Sequence, residues 1–581
     1  MRALPARARP WIERGDAPSA TTLPRAPGRR DPWRPPGGPS CRHPRQREKN
    51  RFFRIFRPGT ALADGAGMQA TALTFILVGL DASPVRVEVD SGRGPASFQL
   101  VGLAEASVRE SRVRVRSALS QIGVALDEHV ITVNLAPADL RKSGGAFDLA
   151  IAMAVLGALG KVPGESLRGL AFLGELSLTG AIRPVRGVLP ALRGAAARGL
   201  GRAVVPRHNG AEAASVPGLE VLVADHLGDV VAALAGEEDL PSAGPRPSLA
   251  SDLAEAAVDL AEVRGQHVAR RALEIAAAGG HNLLMMGPPG AGKTMLARRL
   301  PTILPPLSYD EALEVTAIHS VAGLLPSDRG LAQARPFRAP HHTVSPAGLV
   351  GGGDPIRPGE VSLAHHGCLF LDELLEFKRS ALEVLRQPLE DGLVTICRAQ
   401  SRVAFPARPL VVAAVNPCPC GLFGDEKRRC ACTPEGVRRY RTRLSGPLLD
   451  RLDLQVPLPP VDVSHLAGKE RGEASAEVRR RVIAARAIQS ARREAGETSA
   501  PTNAELGPRD VERVAAPDAA GRAILGQAVE RLGLSARAYG KVLRVARTIA
   551  DLDGGGAVRA SHVAEAIQAR LLDRDGAAAR R

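Results

Sequence analysis

Residues 287–294 read Gly-Pro-Pro-Gly-Ala-Gly-Lys-Thr, matching G-x-x-x-x-G-K-[ST]. Gly287, Gly290 and Gly292 let backbone N–H groups approach phosphate oxygens, with Pro288, Pro289 and Ala291 completing the loop. A helix opening behind the loop adds a favourable dipole. Lys293 is spaced to reach the β- and γ-phosphates of ATP, and Thr294 to ligate Mg²⁺. A second stretch, "GCLFLDELLEF", sets Asp372 and Glu373 at the end of four apolar residues. Adjacent carboxylates at a buried strand end are costly without a cation. Asp372 fits the Mg²⁺ shell and Glu373 fits polarisation of an attacking water. Asn416 ends a third apolar run, "PLVVAAVN". Its amide suits orienting water toward the γ-phosphate, and a plain turn role is the alternative, because Asn-Pro initiates turns.

Between the acids and Asn416, "DGLVTICRAQSRVAFPAR" predicts two strands joined at Arg398-Ala399-Gln400, with Arg398 at the tip and Arg402 just after it. Just beyond Asn416 come Cys418, Cys420, Cys430 and Cys432, spaced C-x-C, nine residues, C-x-C. Four thiolates on a short loop fit tetrahedral Zn²⁺, with free thiols or redox-labile pairs as the alternatives. For His341-His342 and His365-His366, packing or loop hydrogen bonding is preferred to metal binding.

These residues need elements to hold them. "HNLLMM", "GCLFL" and "PLVVAAV" are short apolar strands alternating with helices over 253–465, the pattern of an α/β domain with a parallel sheet. Residues 68–236 show a mixed α+β pattern, and 237–252 form a Pro/Gly/Ser linker. From 475 to 573 only helices are predicted, with Val478, Val482 and Ile488 near one face and Ser561 as an N-cap. Residues 1–67 hold 11 of the 46 prolines and +10 of the formal +16 charge, with no apolar period, and are expected to be disordered. A transit peptide or a basic nucleic-acid arm fits that composition; the preferred reading is that the natural start is Met68. The rest of the chain is only mildly basic, so net charge is weak evidence for a nucleic-acid partner. No apolar run is long enough to span a membrane, and seven cysteines in 581 residues are no secreted disulfide framework. A cytoplasmic protein without a membrane partner is expected.

The phosphate loop, "LFLDE", "AAVNP", "LSGPLLDRLDLQVPLP" and the helical tail together resemble AAA+ ATPases. The intervening hairpin narrows the resemblance to the branch holding Mg-chelatase ATPase subunits and MCM helicases. "RPFRAPHHTVSPAGLVGGGDPIRPGEVSLAHHGCLFLDEL" is similar to Mg-chelatase-like proteins. "GELSLTGAIRPVRGVLPALRGAAARGLGRAVVP" resembles the proteolytic domain of Lon. A Lon-like domain followed by such an ATPase resembles the competence protein ComM/YifB family over 68 to about 573, and "VNLAPADLRK" and "NPCPCG" are specific phrases of it.

The resemblance implies a fold: an N-terminal Lon-like (ribosomal S5 domain 2-like) α+β domain, an AAA+ α/β domain and a C-terminal helical lid. It implies that Arg451 is an arginine finger completing a neighbour's site, that Arg537 is a sensor-2 residue, and that a homo-hexamer forms on ATP or DNA binding. It implies that Arg398 contacts DNA phosphates and that Arg357 sits on a second projection, "GGGDPIRPGEVSL". A Lon peptidase needs a serine and a lysine. Those positions fall on Ala146 and Leu189, with Ser143 and Lys142 out of register, so no protease is expected. The implied activity is helicase or branch migration on branched or single-stranded DNA. The alternative is a Mg-chelatase-type ATPase acting on a partner protein.

Overall fold

The computed structural model describes residues 68–103, 105–142, 144–247, 258–326, 330–398, 401–424, 428–460 and 472–570. The proposed leader, Ser143 and the turn residues Ala399 and Gln400 lie outside them. Among the described residues no helix is long and apolar enough to cross a membrane.

The N-terminal part is a seven-stranded sheet in the order Ser97–Val101, His129–Ala136, Asp81–Arg93, Met68–Val78, Leu170–Phe172, Arg202–Pro206, Glu220–Ala224. The long strands Met68–Val78 and Asp81–Arg93 pair antiparallel through a tight turn at Gly79-Leu80, and the last three strands run parallel. Helix Asp148–Ala158 is buried on every side, as its unbroken apolar sequence requires. Asp148, in its first turn, tolerates that burial because Arg114 pairs with both carboxylate oxygens and Leu176 N–H donates to one of them.

The second sheet has five strands, all parallel, in the order Phe337–Arg338, Cys368–Leu371, Leu410–Val415, Leu283–Met286, Leu454–Pro457. A parallel sheet gathers its carboxyl ends on one side, where ligands bind in such folds. Leu410–Val415 is buried along its whole length, consistent with its central place.

Helices Ser475–Glu494, Ala519–Leu532, Ala536–Leu552 and Ala560–Gln568 make up most of the tail. Val478, Val482, Val542 and Ile549 share one core with Leu283, Met285 and Val456, so the tail has no separate interior. Two expectations need correction here. Ile488 is only partly buried; Gln489 takes the inward place, donating to Ala278 O and accepting from Asn503 N. Ser561 is inside its helix, because the last helix starts two residues earlier than a Ser561 cap requires, at Ala560, and the N–H of Arg559 is capped by His562 Nδ1.

The two sheets are bridged by helix Tyr309–Ala322. Leu313, Val315 and Ala317 from this helix lie in the same apolar cluster as Val188, Leu189, Leu192, Val205 and Val223.

Candidate nucleotide site

The phosphate loop joins strand Leu283–Met286 to helix Lys293–Ile303. Gly290 and Gly292 have φ of +82° and +90°, which side-chain-bearing residues resist. A Cβ on Gly287 would sit 2.4 Å from Leu458 O, so only glycine fits there. Lys293 Nζ donates to Gly287 O at 2.6 Å, Pro288 O at 3.1 Å and Asn416 Oδ1 at 3.0 Å. Burial lowers its pKa, opposed by the charges of Asp372 and Glu373. Thr294 Oγ1 donates to Asp372 Oδ2 at 2.7 Å, while Asp372 Oδ1 accepts the N–H of Glu373 at 3.0 Å. Glu373 holds φ +49°, an uncommon backbone state for a non-glycine and one that clusters at functional sites. Its carboxylate is half exposed and lies 3.8 Å from His342 Nδ1.

Lys293, Thr294, Asp372, Glu373 and Asn416 thus meet at the carboxyl ends of three neighbouring strands. The arrangement fits a nucleotide with Mg²⁺. Two oxygen ligands on adjacent corners of a Mg²⁺ octahedron are about 2.9 Å apart, close to the Thr294–Asp372 separation. A Cβ on Gly290 or Gly292 would meet nothing within 4 Å, so the loop is open on that side. Sequence reasoning missed His342 as a neighbour of Glu373. It also missed Gln266, whose Nε2 ties Ala291 O of the loop to Pro459 O at 3.2 and 2.8 Å. A φ of +51° at Gln266 is a backbone feature with no sequence signal.

The basic hairpin pairs Leu393–Arg398 with Ser401–Pro406, Arg398 opposite Ser401 and Cys397 opposite Arg402. Val394, Val403 and Phe405 bury its root, and Arg398 and Arg402 are exposed. Exposed Arg357 stands on a second small hairpin, Gly351–Gly352 with Arg357–Pro358. A Cβ on Gly351 would lie 3.0 Å from Ile396 Cδ1, so the two hairpins adjoin. The Gly79 turn of the N-terminal sheet abuts the same hairpin, where a Cβ would lie 2.7 Å from Val403 Cγ1.

Arg451 is not brought to this site by its own chain. Its guanidinium pairs with Glu390 and donates to Arg386 O at 3.1 Å and Pro447 O at 2.7 Å. Neither neighbouring acid, Asp450 or Asp453, is its partner. Asp453 instead takes Lys541 of helix Ala536–Leu552. Arg537 is exposed at the start of that helix. In the N-terminal part Leu189, on helix Val188–Ala197, is fully buried with its N–H directed at Glu212, and Lys142 Nζ donates to Pro137 O.

The four clustered cysteines converge, with every Sγ within 4.8 Å of the others. N–H groups of Leu422 and Ala431 hold the Cys420 thiol down at about 6. Both histidine pairs make hydrogen bonds. His341 Nδ1 meets Thr343 Oγ1 at 2.9 Å, and the Nε2 atoms of His365 and His366 meet Glu314 Oε2 at 2.9 and 2.8 Å. Glu314, His365 and His366 have metal-ligand spacing. However, His365 Nδ1 accepts the N–H of Arg408, which leaves the proton on Nε2 and removes the lone pair a metal would need.

Family models for the magnesium chelatase subunit ChlI match residues 259–466, for subunit ChlI of Mg-chelatase residues 87–209, and for the ChlI C-terminal region residues 472–570. The competence protein ComM of Haemophilus influenzae is 44% identical over 500 residues, 86% of this chain and 96% of that protein. The uncharacterized protein YifB of Salmonella typhimurium is 44% identical over 502 residues, with the same coverage. Lon protease 1 of Bacillus subtilis is 29% identical over 199 residues, 32% of this chain and 25% of that protein. With identity of that level across almost the whole of both relatives, and an α/β domain carrying a parallel sheet of AAA+ type, the chain belongs to the Mg-chelatase-like ComM/YifB family.

Proposed function

We propose that this chain is an ATP-hydrolysing motor that assembles as a homo-hexameric ring on branched or single-stranded DNA and drives helicase or branch-migration steps in DNA uptake and recombination. The observation that carries the reading is the convergence of Lys293, Thr294, Asp372, Glu373 and Asn416 in a domain that also carries two adjoining basic hairpins.

In this reading Lys293 binds the β- and γ-phosphates, and Thr294 and Asp372 hold Mg²⁺, which supplies charge neutralisation at the phosphates. Glu373 polarises the attacking water, and Asn416, already bonded to Lys293, orients it. Arg451 exchanges Glu390 for the phosphate of a neighbouring subunit, and Arg537 contributes from the lid. Arg398, Arg402 and Arg357 grip DNA phosphates without reading sequence, which suits a motor that must move over any sequence. Residues 68–236 are a Lon-like domain, 253–465 the ATPase domain and 475–573 the lid. Alanine at 146 and leucine at 189 can supply neither nucleophile nor base, so the Lon-like domain is not a peptidase.

The test is ATP turnover with and without branched DNA at low ionic strength. The motor reading expects stimulation, and Arg398→Ala lowers the ratio of stimulated to basal rate. Turnover without any DNA engagement overturns the motor and favours an ATPase serving a partner protein. Loss of both rates in equal proportion makes Arg398 a structural residue.

A further inference from the structure

The connection from strand Leu410–Val415 to helix Pro434–Arg441 contains the four convergent cysteines. Cys418 Sγ lies 3.4 Å from Cys420 Sγ and 3.7 Å from Cys430 Sγ, and Cys420 Sγ lies 3.5 Å from Cys430 Sγ. A disulfide would need about 2.05 Å. Four sulfurs bound at the Zn–S distance around one tetrahedral ion are about 3.8 Å apart. The spacing of these three sulfurs is close to that of ligands around a cation, and Cys432 Sγ lies within 4.8 Å of each. Backbone donors point at the sulfurs, Phe423 N at 3.3 Å from Cys418 Sγ and Cys432 N at 3.4 Å from Cys430 Sγ. Such donors support thiolate charge, as outer groups do around bound metals. An all-thiolate tetrahedral set selects zinc over the harder divalent ions.

The same connection touches the nucleotide site. It leaves directly from Asn416, whose side chain accepts from Lys293. Gly421, between the two ligand pairs, packs so closely on the phosphate loop that a Cβ would sit 2.5 Å from Pro289 Cδ. On the far side, Arg441 Nε donates to Pro417 O at 3.2 Å, and the guanidinium lies over the Phe423 ring at 5.2 Å.

We propose that Cys418, Cys420, Cys430 and Cys432 bind one structural Zn²⁺, and that this knot buttresses the phosphate loop at Pro289 and fixes the approach of Asn416. The buttress rests on the nucleotide-binding reading above; the metal site does not. Elemental analysis of the full chain, purified without chelator, is expected to give about one zinc per chain, as for a closed four-ligand site. Cys430→Ser/Cys432→Ser is expected to lose it. Binding of a fluorescent ATP analogue is expected to weaken in that variant on the order of tenfold, the effect of removing groups that support a site. Gly421→Ala keeps all four thiols, so it is expected to retain zinc yet weaken the analogue, which covers the case of a cysteine variant that fails to fold. No zinc after incubation with Zn²⁺, or bound iron instead, overturns the metal site. Zinc in the wild type, with analogue affinity unaltered in both variants, overturns the buttress. A wild-type chain that holds zinc but binds no nucleotide refutes the ATPase reading and the buttress, and leaves the metal site standing.

Discussion

Lys541→Met asks whether charge latches the helical tail to the sheet that carries the nucleotide site. Lys541 Nζ lies 2.8 Å from Asp453 Oδ1, and both side chains are only 12% exposed. Asp453 directly precedes strand Leu454–Pro457, two residues after Arg451, and its other oxygen accepts the N–H of Asn282 at 3.1 Å. Burial alone would raise the Asp453 pKa, yet it is held well below the usual carboxylate range, chiefly by the Lys541 ammonium. His281 contributes less, because its Nδ1 is 3.7 Å away and its own burial favours the neutral ring. Two unit charges at this separation attract by about 6 kcal/mol at an effective dielectric near 20. Desolvation cancels much of that, so the pair's net worth is small, but deleting one partner strands the other. Lys541→Met leaves a buried carboxylate with a single close backbone donor, and breaking such a pair costs about 3–5 kcal/mol. Asp453→Asn strands the ammonium at a similar cost. The double variant should lose less than the sum, with a coupling of about 2–3 kcal/mol. A chain of this size will not unfold in one step, so the readout is hydrogen exchange of the Ala536–Leu552 amides against those of Leu283–Met286. A loss under about 0.5 kcal/mol in the tail, or strictly additive single effects, would refute the latch.

Glu373→Gln should bind ATP normally and hydrolyse it slower by about 10²-fold or more, the usual loss on removing a general base; single-turnover kinetics near the wild-type rate would remove Glu373 from that role. Gly287→Ala drives a methyl into Leu458 O and should abolish binding in a nucleotide titration, so unchanged affinity would contradict the packing. Glu314 is pulled down to about 2, first by its hydrogen bond from His365 and further by His366, against burial. A depressed carboxylate stabilises the fold above its ordinary pKa of about 4.3 and loses that contribution as pH falls toward the folded value. The Tm gap between wild type and Glu314→Gln should therefore be widest above about pH 5 and close on acidification. A constant gap between pH 6 and 3 would show that the histidine contacts do not hold the carboxylate ionised.

The phosphate loop, the acidic pair and the cysteine cluster were legible because their chemistry is written at short spacing. A strand, a glycine turn and a helix N-terminus are local events, and thiols two residues apart need only one loop to meet the second pair. The partners of Arg451 and Asp453 were not legible. Glu390 and Lys541 reach them across the fold, and nothing in "LLDRLD" marks Asp453 rather than Asp450 as the acid that takes a distant lysine. Helix faces were read from apolarity alone, which favoured Ile488. Gln489 is buried because Ala278 O and Asn503 N satisfy its amide, and a buried polar group with partners costs little. Ser561 had the right residue type for a cap, but the helix took its first-turn acceptor from His562. The chain's sheet order and the contact between the two arginine hairpins are likewise tertiary facts.

The N-terminal sheet is tied mechanically to the elements that carry the acidic pair. Helix Tyr309–Ala322 follows the phosphate-loop helix in the chain, yet Leu313, Val315 and Ala317 bury their side chains in the core of the N-terminal sheet. Ser320 Oγ, one turn on, accepts Gly187 N at 3.1 Å and donates to Glu212 Oε2 at 2.6 Å. Burial raises the Glu212 pKa, so that carboxyl depends on Ser320 and Asn209 for compensation. From another face of the same helix Glu314 holds His365 and His366, just ahead of strand Cys368–Leu371 and hence of Asp372 and Glu373. Packed side chains and hydrogen bonds thus run from the N-terminal core to His365 and His366, and strand Cys368–Leu371 leads from there to the acidic pair. Removing residues 1–257 would expose the apolar face of this helix and unpair Ser320. Such a fragment should aggregate or lose the Glu314 contacts, whereas Ser320→Ala in the full chain should leave apolar burial intact, costing Gly187 N–H its acceptor and Glu212 one donor while Asn209 and Leu189 still donate to it. If the fragment from residue 258 onward were monomeric and as stable as the full chain, the helix would belong to the second sheet alone and the bridge would carry no load.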